Sequence, residues 1–375
     1  MKIIRKAGLV ILLTIVGWSL NTHAAIRIQP EEKIKNIFTP ILLYHRVVPK
    51  PASIYDITPD MLEKQIGFML AQGYQPITAL QYIKLQKHPK FFPDKPVVLT
   101  FDDGTKSHYQ YVFPILQKYK IKATFFVYPG NIVSEGSLQL TWPELKKMAW
   151  AGMDIESHTF SHPFLTKTNF KRDDPRYLEW LDRELKESKR VLEEHLKTKV
   201  DLLAYSYGWF NDIVEAKTME AGYQGAFTVN WGVNRTDENP LRLKRRAVSN
   251  QMSQVELERY LTSKPLSLNI ISPSDAAVVD SDPVIRFKLE NPRLMMIDMV
   301  VGNTKGVLRP NSEGVFGIDL KNVSSGYNTV IISGYDDQDQ LWIGSWGFDY
   351  EPVTVSGTPQ HKPLAKVKKR KKNWN

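Results

Sequence analysis

The 375-residue chain contains no cysteine. That excludes disulfides, thiolate metal ligands and a lipid-modified cysteine, so any metal must be held by His, Asp or Glu. The apolar run AGLVILLTIVGWSL near the start is short for a membrane span. Basic MKIIRK precedes it, and NTHA follows with the small residues Thr22 and Ala24. These are the parts of a secretory signal, expected over residues 1–24, with an uncleaved anchor as the alternative. The body of the chain also lacks an excess of either charge. Residues 1–24 hold three basic and no acidic residues, and 361–375 hold seven basic and none acidic, which leaves 40 of each sign between them. A nucleic-acid-binding fold is therefore not suggested. The tail, expected over 353–375 and ending HKPLAKVKKRKKNWN, reads as a disordered, solvated segment. Its alternative is attraction to an anionic membrane or cell-wall surface. A secreted or periplasmic location is expected.

What is present is a globular composition, 42% apolar with 11% aromatic residues. The length suits one large core and a smaller second domain. From about 36 to 265 strand-like and helix-like runs alternate. PILLYHRVV reads as a strand. TPDMLEKQIGFMLAQG reads as a helix with Thr58 as cap, Pro59 in the first turn and Gly73 past the end. VVLTF and KATFFVY are strands flanking a helix at 107–119. TWPELKKMAWAG carries a capping box from Thr141 to Glu144. MDIES, a long charged helix over roughly 176–197, LLAYS, a helix from Asn211 to Ala221 and GAFTV complete the series. Repeated strand–helix units imply a parallel sheet, open or closed into a barrel. Near Pro265 the helical period stops. Six short strand-like runs from LSLNIIS to LWIGSWGFDY predict a small all-β, immunoglobulin-like sandwich over 266–352.

The stretch VVLTFDDGT ends an apolar run in two adjacent carboxylates. Asp-Gly often marks a hairpin, but the next residues have helical spacing, so the unit is strand, acidic loop, helix. Loops at the carboxyl ends of parallel strands are where function collects. Further on, ESHTFSHPF places His158 and His162 four residues apart after a strand. Two His and one carboxylate with an open fourth position form a hydrolytic zinc set. One of Asp102 and Asp103 can then be a ligand while its neighbour takes a proton from the attacking water. His45 ends the strand ILLYH, as a rim residue or as an acid that protonates a leaving amine. In LLAYSYGWFN, Tyr207 and Gly208 lie in a strand-to-helix loop that can aim a backbone N–H at an oxyanion. Its aromatics, Tyr207 and Trp209, can stack on sugar faces or simply pack.

TFDDG, SHTFSHP and AYSYG, in this order, resemble the first three motifs of the polysaccharide deacetylase domain (NodB homology, carbohydrate esterase family 4). LLYH placed ahead of TFDDG resembles the circularly permuted branch, the poly-β-1,6-N-acetylglucosamine N-deacetylases of biofilm export systems. The likeness covers roughly 36–250. It implies a distorted parallel (β/α) barrel of about seven units within 36–265. It implies Asp102 as general base, and Asp103, His158 and His162 as ligands of a divalent metal, usually zinc. It further implies His45 as general acid, the Tyr207 amide as oxyanion donor, and Arg245 in LKRRAV as a late arginine near the base and substrate. Two departures stand out. Ser206 replaces the usual Pro of the third motif, and the Arg that opens that motif in many relatives is absent. Removal of N-acetyl groups from an N-acetylglucosamine-containing glycan is the expected activity. A peptidoglycan or chitin-oligomer deacetylase is one alternative, and a catalytically silent glycan-binding adhesion protein is another.

Overall fold

The computed structural model describes residues 37–352 apart from 134–137, 167–169, 171, 291–293, 295 and 322. The expected signal segment and basic tail lie outside these residues. Among those described, no helix is long and apolar enough to cross a membrane.

Eight strands form a parallel sheet: β1 Ile41–Tyr44, β2 Gln75–Ile77, β3 Pro96–Phe101, β4 Thr124–Val127, β5 Asp154–Ser157, β6 Leu202–Ala204, β7 Gly225–Phe227 and β8 Arg246–Ala247. Seven follow one path, β8-β1-β3-β4-β5-β6-β7, while β2 pairs with the start of β3. Spatial order follows chain order from β3 to β7, as in barrel winding. Every residue of β1 and β3 is buried, which is why these strands read as unbroken apolar runs rather than alternating ones. The sheet is open, because β7 and β8 do not pair. The segment 240–247 crosses between the two edges instead. Thr228 N–H donates to Leu243 O (2.8 Å) and Leu243 N–H to Ala226 O (3.0 Å), and three residues on the chain pairs with β1 through Arg246 and Ala247.

The helices form where their caps dictate. In α1, Pro59–Ala71, Met61 N–H donates to the Thr58 hydroxyl (3.1 Å). Helix α2, Ala79–Gln86, carries a Thr78/Gln81 capping box that the sequence pattern did not single out. The helix expected over 107–119 opens as a π turn, His108–Val112, before α3, Phe113–Tyr119. Phe113 N–H reaches back to His108 O. Pro114, next along, has no N–H to continue an ordinary ladder. Helix α4, Trp142–Trp150, begins with the expected Thr141/Glu144 box. Helix α5, Pro175–Leu196, buries Tyr177, Leu181, Glu184, Leu185 and Ser188 along one stripe. Helices α6, Asp212–Glu220, and α7, Gln254–Thr262, start at Asn211 and at a Ser253/Glu256 box.

Two sheets follow. The larger contains β9 Lys264–Pro265, β11 Ala277–Val279, β13 Ile297–Val301, β14 Thr304–Leu308, β16 Gly326–Tyr335 and β17 Leu341–Tyr350. The smaller contains β10 Leu268–Ser272, β12 Val284–Leu289 and β15 Val315–Asp319. Ile285, Phe287 and Phe316 of the smaller meet Met299, Val330, Ile332, Trp346 and Phe348 of the larger in one core. Strands β9 and β11 join β17 in parallel, so the region is not purely antiparallel. The other face of the larger sheet packs on the α/β part. Tyr327 and Ile343 belong to its core, and Asn230 bonds to Tyr327 (3.0 Å) and Thr329 (2.9 Å).

At this junction Asp349 is 1% exposed. Burial lifts its carboxyl to about 6, aided by Glu351 and opposed by the neighbouring Asn211, Thr166 and Arg172. Its folded pKa therefore lies above the ordinary value. The associated stability is full below about pH 4 and is lost as pH rises to about 6. Asp349→Asn should remove that dependence and leave the variant more stable at pH 7 by on the order of 2 kcal/mol. Urea unfolding of both proteins from pH 4 to 7 measures it. A wild-type-to-variant difference that does not change with pH would contradict this assignment.

Candidate active site

The carboxyl ends of β1, β3, β5 and β6 converge. Strand β1 lies beside β3, with Tyr44 opposite Phe101, and Asp102 N–H donates to Tyr44 O (3.0 Å). His45 and Asp102 thus leave neighbouring strands at one rim. Asp102 is 2% exposed and Arg245 is fully buried. The guanidinium meets the carboxylate through two bonds of 2.8 Å and also donates to Thr100 Oγ1 (3.3 Å) and Thr228 O (2.9 Å). Burial raises the Asp102 carboxyl, but Arg245, His158 and His45 together outweigh it and hold the group below the usual carboxylate range. Arg245 thus presents no surface to a ligand. It acts on Asp102.

Asp103 turns away in a left-handed conformation, φ 77°. Gly104 continues that turn at φ 61°, and a Cβ there would lie 2.4 Å from Val127 Cγ1. Only glycine fits both demands. The segment 138–140 braces the turn. Leu140 N–H donates to Gly104 O (2.9 Å), and the Gln139 amide donates to Asp103 O (3.0 Å) and Gly104 O (2.8 Å).

The histidine loop is held from below. Phe160 N–H, Ser161 N–H and Ser161 Oγ all donate to Glu184 of α5, at 3.1, 2.9 and 2.7 Å. Ser188 Oγ donates to Thr159 O (2.9 Å). Thr159 and His162 both have left-handed backbones, φ 65° and 60°, and His162 N–H donates to Thr159 Oγ1 (3.1 Å). This folds the four-residue spacing so that both rings reach one point. His158 Nδ1–H donates to Ala204 O (2.8 Å), which leaves its Nε2 with a lone pair. That Nε2 lies 3.1 Å from His162 Nε2 and 3.7 Å from Asp103 Oδ1. His162 Nε2 lies 3.4 Å from the same oxygen. A tetrahedral ion with bonds near 2.0–2.1 Å has donor–donor edges of roughly 3.3 Å. Burial, with His158 adding to it, lowers His162 to about 4, so its ring is neutral at pH 7, as a ligand must be. Asp103, His158 and His162 therefore fit one divalent metal. Asp102 Oδ2, 3.7 Å from His158 Nε2, stands just outside the set.

His45 is half-buried. Desolvation lowers its imidazole, against the pull of Asp102 and Asp103. His108 Nε2–H donates to His45 O (2.9 Å) from a wholly buried ring between Phe101 and Phe125. Tyr207 has φ 59° and leads into Gly208 at φ 74°, where a Cβ would strike Val229 N at 2.6 Å. The Tyr207 ring lies 4.5 Å from His162 and stacks on Phe164 at 3.8 Å. Trp209 packs on Phe164 and against Gly326 of β16, so it links this loop to the β region. Ser206, where the motif usually has Pro, bonds to Thr159 Oγ1 at 2.8 Å and ties the third motif to the second. Glu184, Ser188, Gln139 and His108 carry this scaffold and belong to none of the quoted motifs.

The arrangement is an α/β site in which a two-His, one-Asp cluster able to hold a metal lies beside a carboxylate paired with an arginine. Comparison with known proteins narrows the class. Residues 90–226 match the family model of polysaccharide deacetylases. The chain is 28% identical over 224 residues to YxkH of Bacillus subtilis, across 60% of this chain and 76% of that protein. It is 26% identical over 210 residues to the poly-β-1,6-N-acetyl-D-glucosamine N-deacetylase of Staphylococcus aureus, across 55% of this chain and 72% of that enzyme. Among solved structures, the Streptococcus pyogenes deacetylase PplD, in complex with acetate, superposes with a TM-score of 0.55 at 28% identity, over 60% of this chain and 99% of PplD. Residues 90–226 thus carry a polysaccharide deacetylase domain, and the proteins this chain resembles are hydrolases of that class.

Replacing Arg245 with Met leaves a buried, uncompensated carboxylate. Stability should fall by about 3–5 kcal/mol. Arg245→Lys, which keeps the charge without the fork, should retain the fold, raise the Asp102 pKa and move the acid limb of kcat/KM to higher pH. An unmoved acid limb in a folded Arg245→Lys protein would contradict control of Asp102 by this pair.

Proposed function

We propose that the chain is a secreted or periplasmic metal-dependent N-deacetylase of N-acetylglucosamine-containing glycans, with poly-β-1,6-N-acetylglucosamine of biofilms as the favoured polymer. The observation that carries it is the juxtaposition of Arg245-backed Asp102, 3.7 Å from His158 Nε2, with the Asp103–His158–His162 triangle. The S. aureus relative supports the polymer, and the opening MKIIRK with its apolar run supports the location.

Asp103, His158 and His162 would hold the metal, and zinc suits that donor set. When bound, such an ion supplies Lewis-acid polarisation of the acetamide carbonyl and eases ionisation of the attacking water. Asp102, kept ionised by Arg245, accepts the proton of the water as it attacks. The Tyr207 N–H donates to the developing oxyanion. His45 delivers a proton to the amine as the carbon–nitrogen bond breaks. Acetate and a glucosamine unit are the products. Acetate release from a panel of defined soluble glycans, β-1,6-linked N-acetylglucosamine, chitin and peptidoglycan oligomers, tests the polymer. Release from the last two alone would overturn it.

The two aspartates should separate by variant. Asp103→Asn should lose metal, since an amide is a poorer ligand than a carboxylate. Asp102→Asn should keep metal and lose turnover, since an amide accepts no proton. Metal content and acetate release on both purified proteins decide the matter, and equal metal loss would sink the division of roles. His45→Ala should keep its metal and lose roughly 10²–10⁴-fold in turnover, the usual worth of general acid–base catalysis. Near-normal turnover would make His45 a structural rim residue.

A further inference from the structure

The loop between β1 and α1 presents Ile54 and Tyr55 to solvent, 48% and 47% exposed. What sets this pair apart from other exposed apolar residues is the fixed backbone that carries it and its place beside the site. The backbone beneath them is fixed. Asp56, 3% exposed, accepts from Ala52 N–H (2.9 Å) and Ser53 N–H (3.0 Å), and Arg46 lies 3.5 Å from its Oδ2. Val48 N–H donates to Ile57 O (2.9 Å), Ile57 N–H to Arg46 O (3.0 Å) and Asn250 N–H to Ile54 O (2.9 Å). Asn250 Nδ2 adds a bond to Ser53 O (3.0 Å). The loop is knotted at its base and bare at its tip.

That tip borders the site. The Tyr55 ring centroid is 5.6 Å from that of His45, at an interplanar angle of 41°. On the histidine side Tyr207, 45% exposed, holds the corresponding place 4.5 Å from His162. Two half-exposed tyrosines thus flank the constellation, one against the proposed acid and one against a proposed ligand. The departing amine remains on a sugar ring, and that ring must lie where His45 can reach its nitrogen. Sugar rings offer an apolar C–H face, and an aromatic ring held rigidly beside them binds that face at little entropic cost.

We propose that Tyr55 is a glycan-binding residue of this site. It would stack on a sugar ring of the bound chain next to the one being deacetylated and set the preference for oligomers over single sugars. The inference rests on the glycan reading above. Tyr55 is exposed, so its replacement leaves the core intact.

On a soluble N-acetylglucosamine hexamer, Tyr55→Ala should raise KM by about tenfold, the worth of one lost stacking contact. Its kcat should change less than threefold, with metal content unmoved. Tyr55→Phe should restore KM, because the ring carries the effect. Equal KM values for Ala and wild type, or a Phe variant as weak as Ala, would overturn the inference. Calorimetry of the same hexamer on the Asp102→Asn protein separates the two levels of the claim. No binding there overturns the glycan reading and this inference with it. Binding that is undiminished when Tyr55→Ala is added overturns the role of Tyr55 alone.

Discussion

The buried pair of Arg245 and Asp102 is the interaction on which the remainder of the site depends. Arg245 rides on the segment that crosses between the open edges of the sheet, and it spends its donors on Asp102, Thr100 and Thr228. One side chain therefore joins β3 to the end of β7 and fixes the charge of the proposed base. A buried carboxylate without such a partner would take up a proton rather than remain an acceptor. The sheet need not close its ladder, because this ion pair and the hydrogen bonds of 240–247 span the gap.

Around that pair the loops are shaped by strain and anchored at depth. Asp103, Thr159, His162 and Tyr207 all adopt left-handed backbones, a conformation that non-glycine residues visit at a cost. Each is held by bonds from outside its own loop: Gln139 at the acidic turn, Glu184 and Ser188 under the histidines, Ser206 between the second and third motifs. The β region contributes as well. Trp209 and Phe210 lean on Gly326 and Tyr327 of β16, so the proposed oxyanion loop rests on a sheet more than one hundred positions later in the chain. This gives the C-terminal sheets a supporting role.

Much of the candidate site was legible in the sequence because its residues are local and chemically distinctive. DDG at a strand end, two histidines four apart and LLYH each stand out in a short window, and the caps at Thr58 and Thr141 sit where their hydrogen bonds form. What could not be read is what acts at long range. Arg245 and Asp102 are separated by 143 positions, and only the family resemblance, not the local pattern of LKRRAV, marks Arg245 as the arginine near the base. Glu184 and Ser188 were hidden within a charged helix. Their part shows only once the stripe of Tyr177, Leu181 and Leu185 is seen to face the sheet. The Ser253/Glu256 box that starts α7 is a local signal of the same kind as the Thr141/Glu144 box. The π turn at His108–Val112 was masked by an otherwise regular helical spacing. The open edge was not legible at all, since strand spacing is the same for an open sheet and a closed barrel.

The central claim is that Asp103, His158 and His162 hold the metal on which deacetylation depends. Its most direct test is to strip the purified protein with a chelator, titrate zinc back, and follow bound metal and acetate release together on a soluble N-acetylglucosamine oligomer. The expected result is saturation at one ion per chain, with turnover rising in proportion to occupancy, and no binding of comparable strength in His158→Ala. Full acetate release from the metal-free protein, or tight zinc binding that survives His158→Ala, would contradict it.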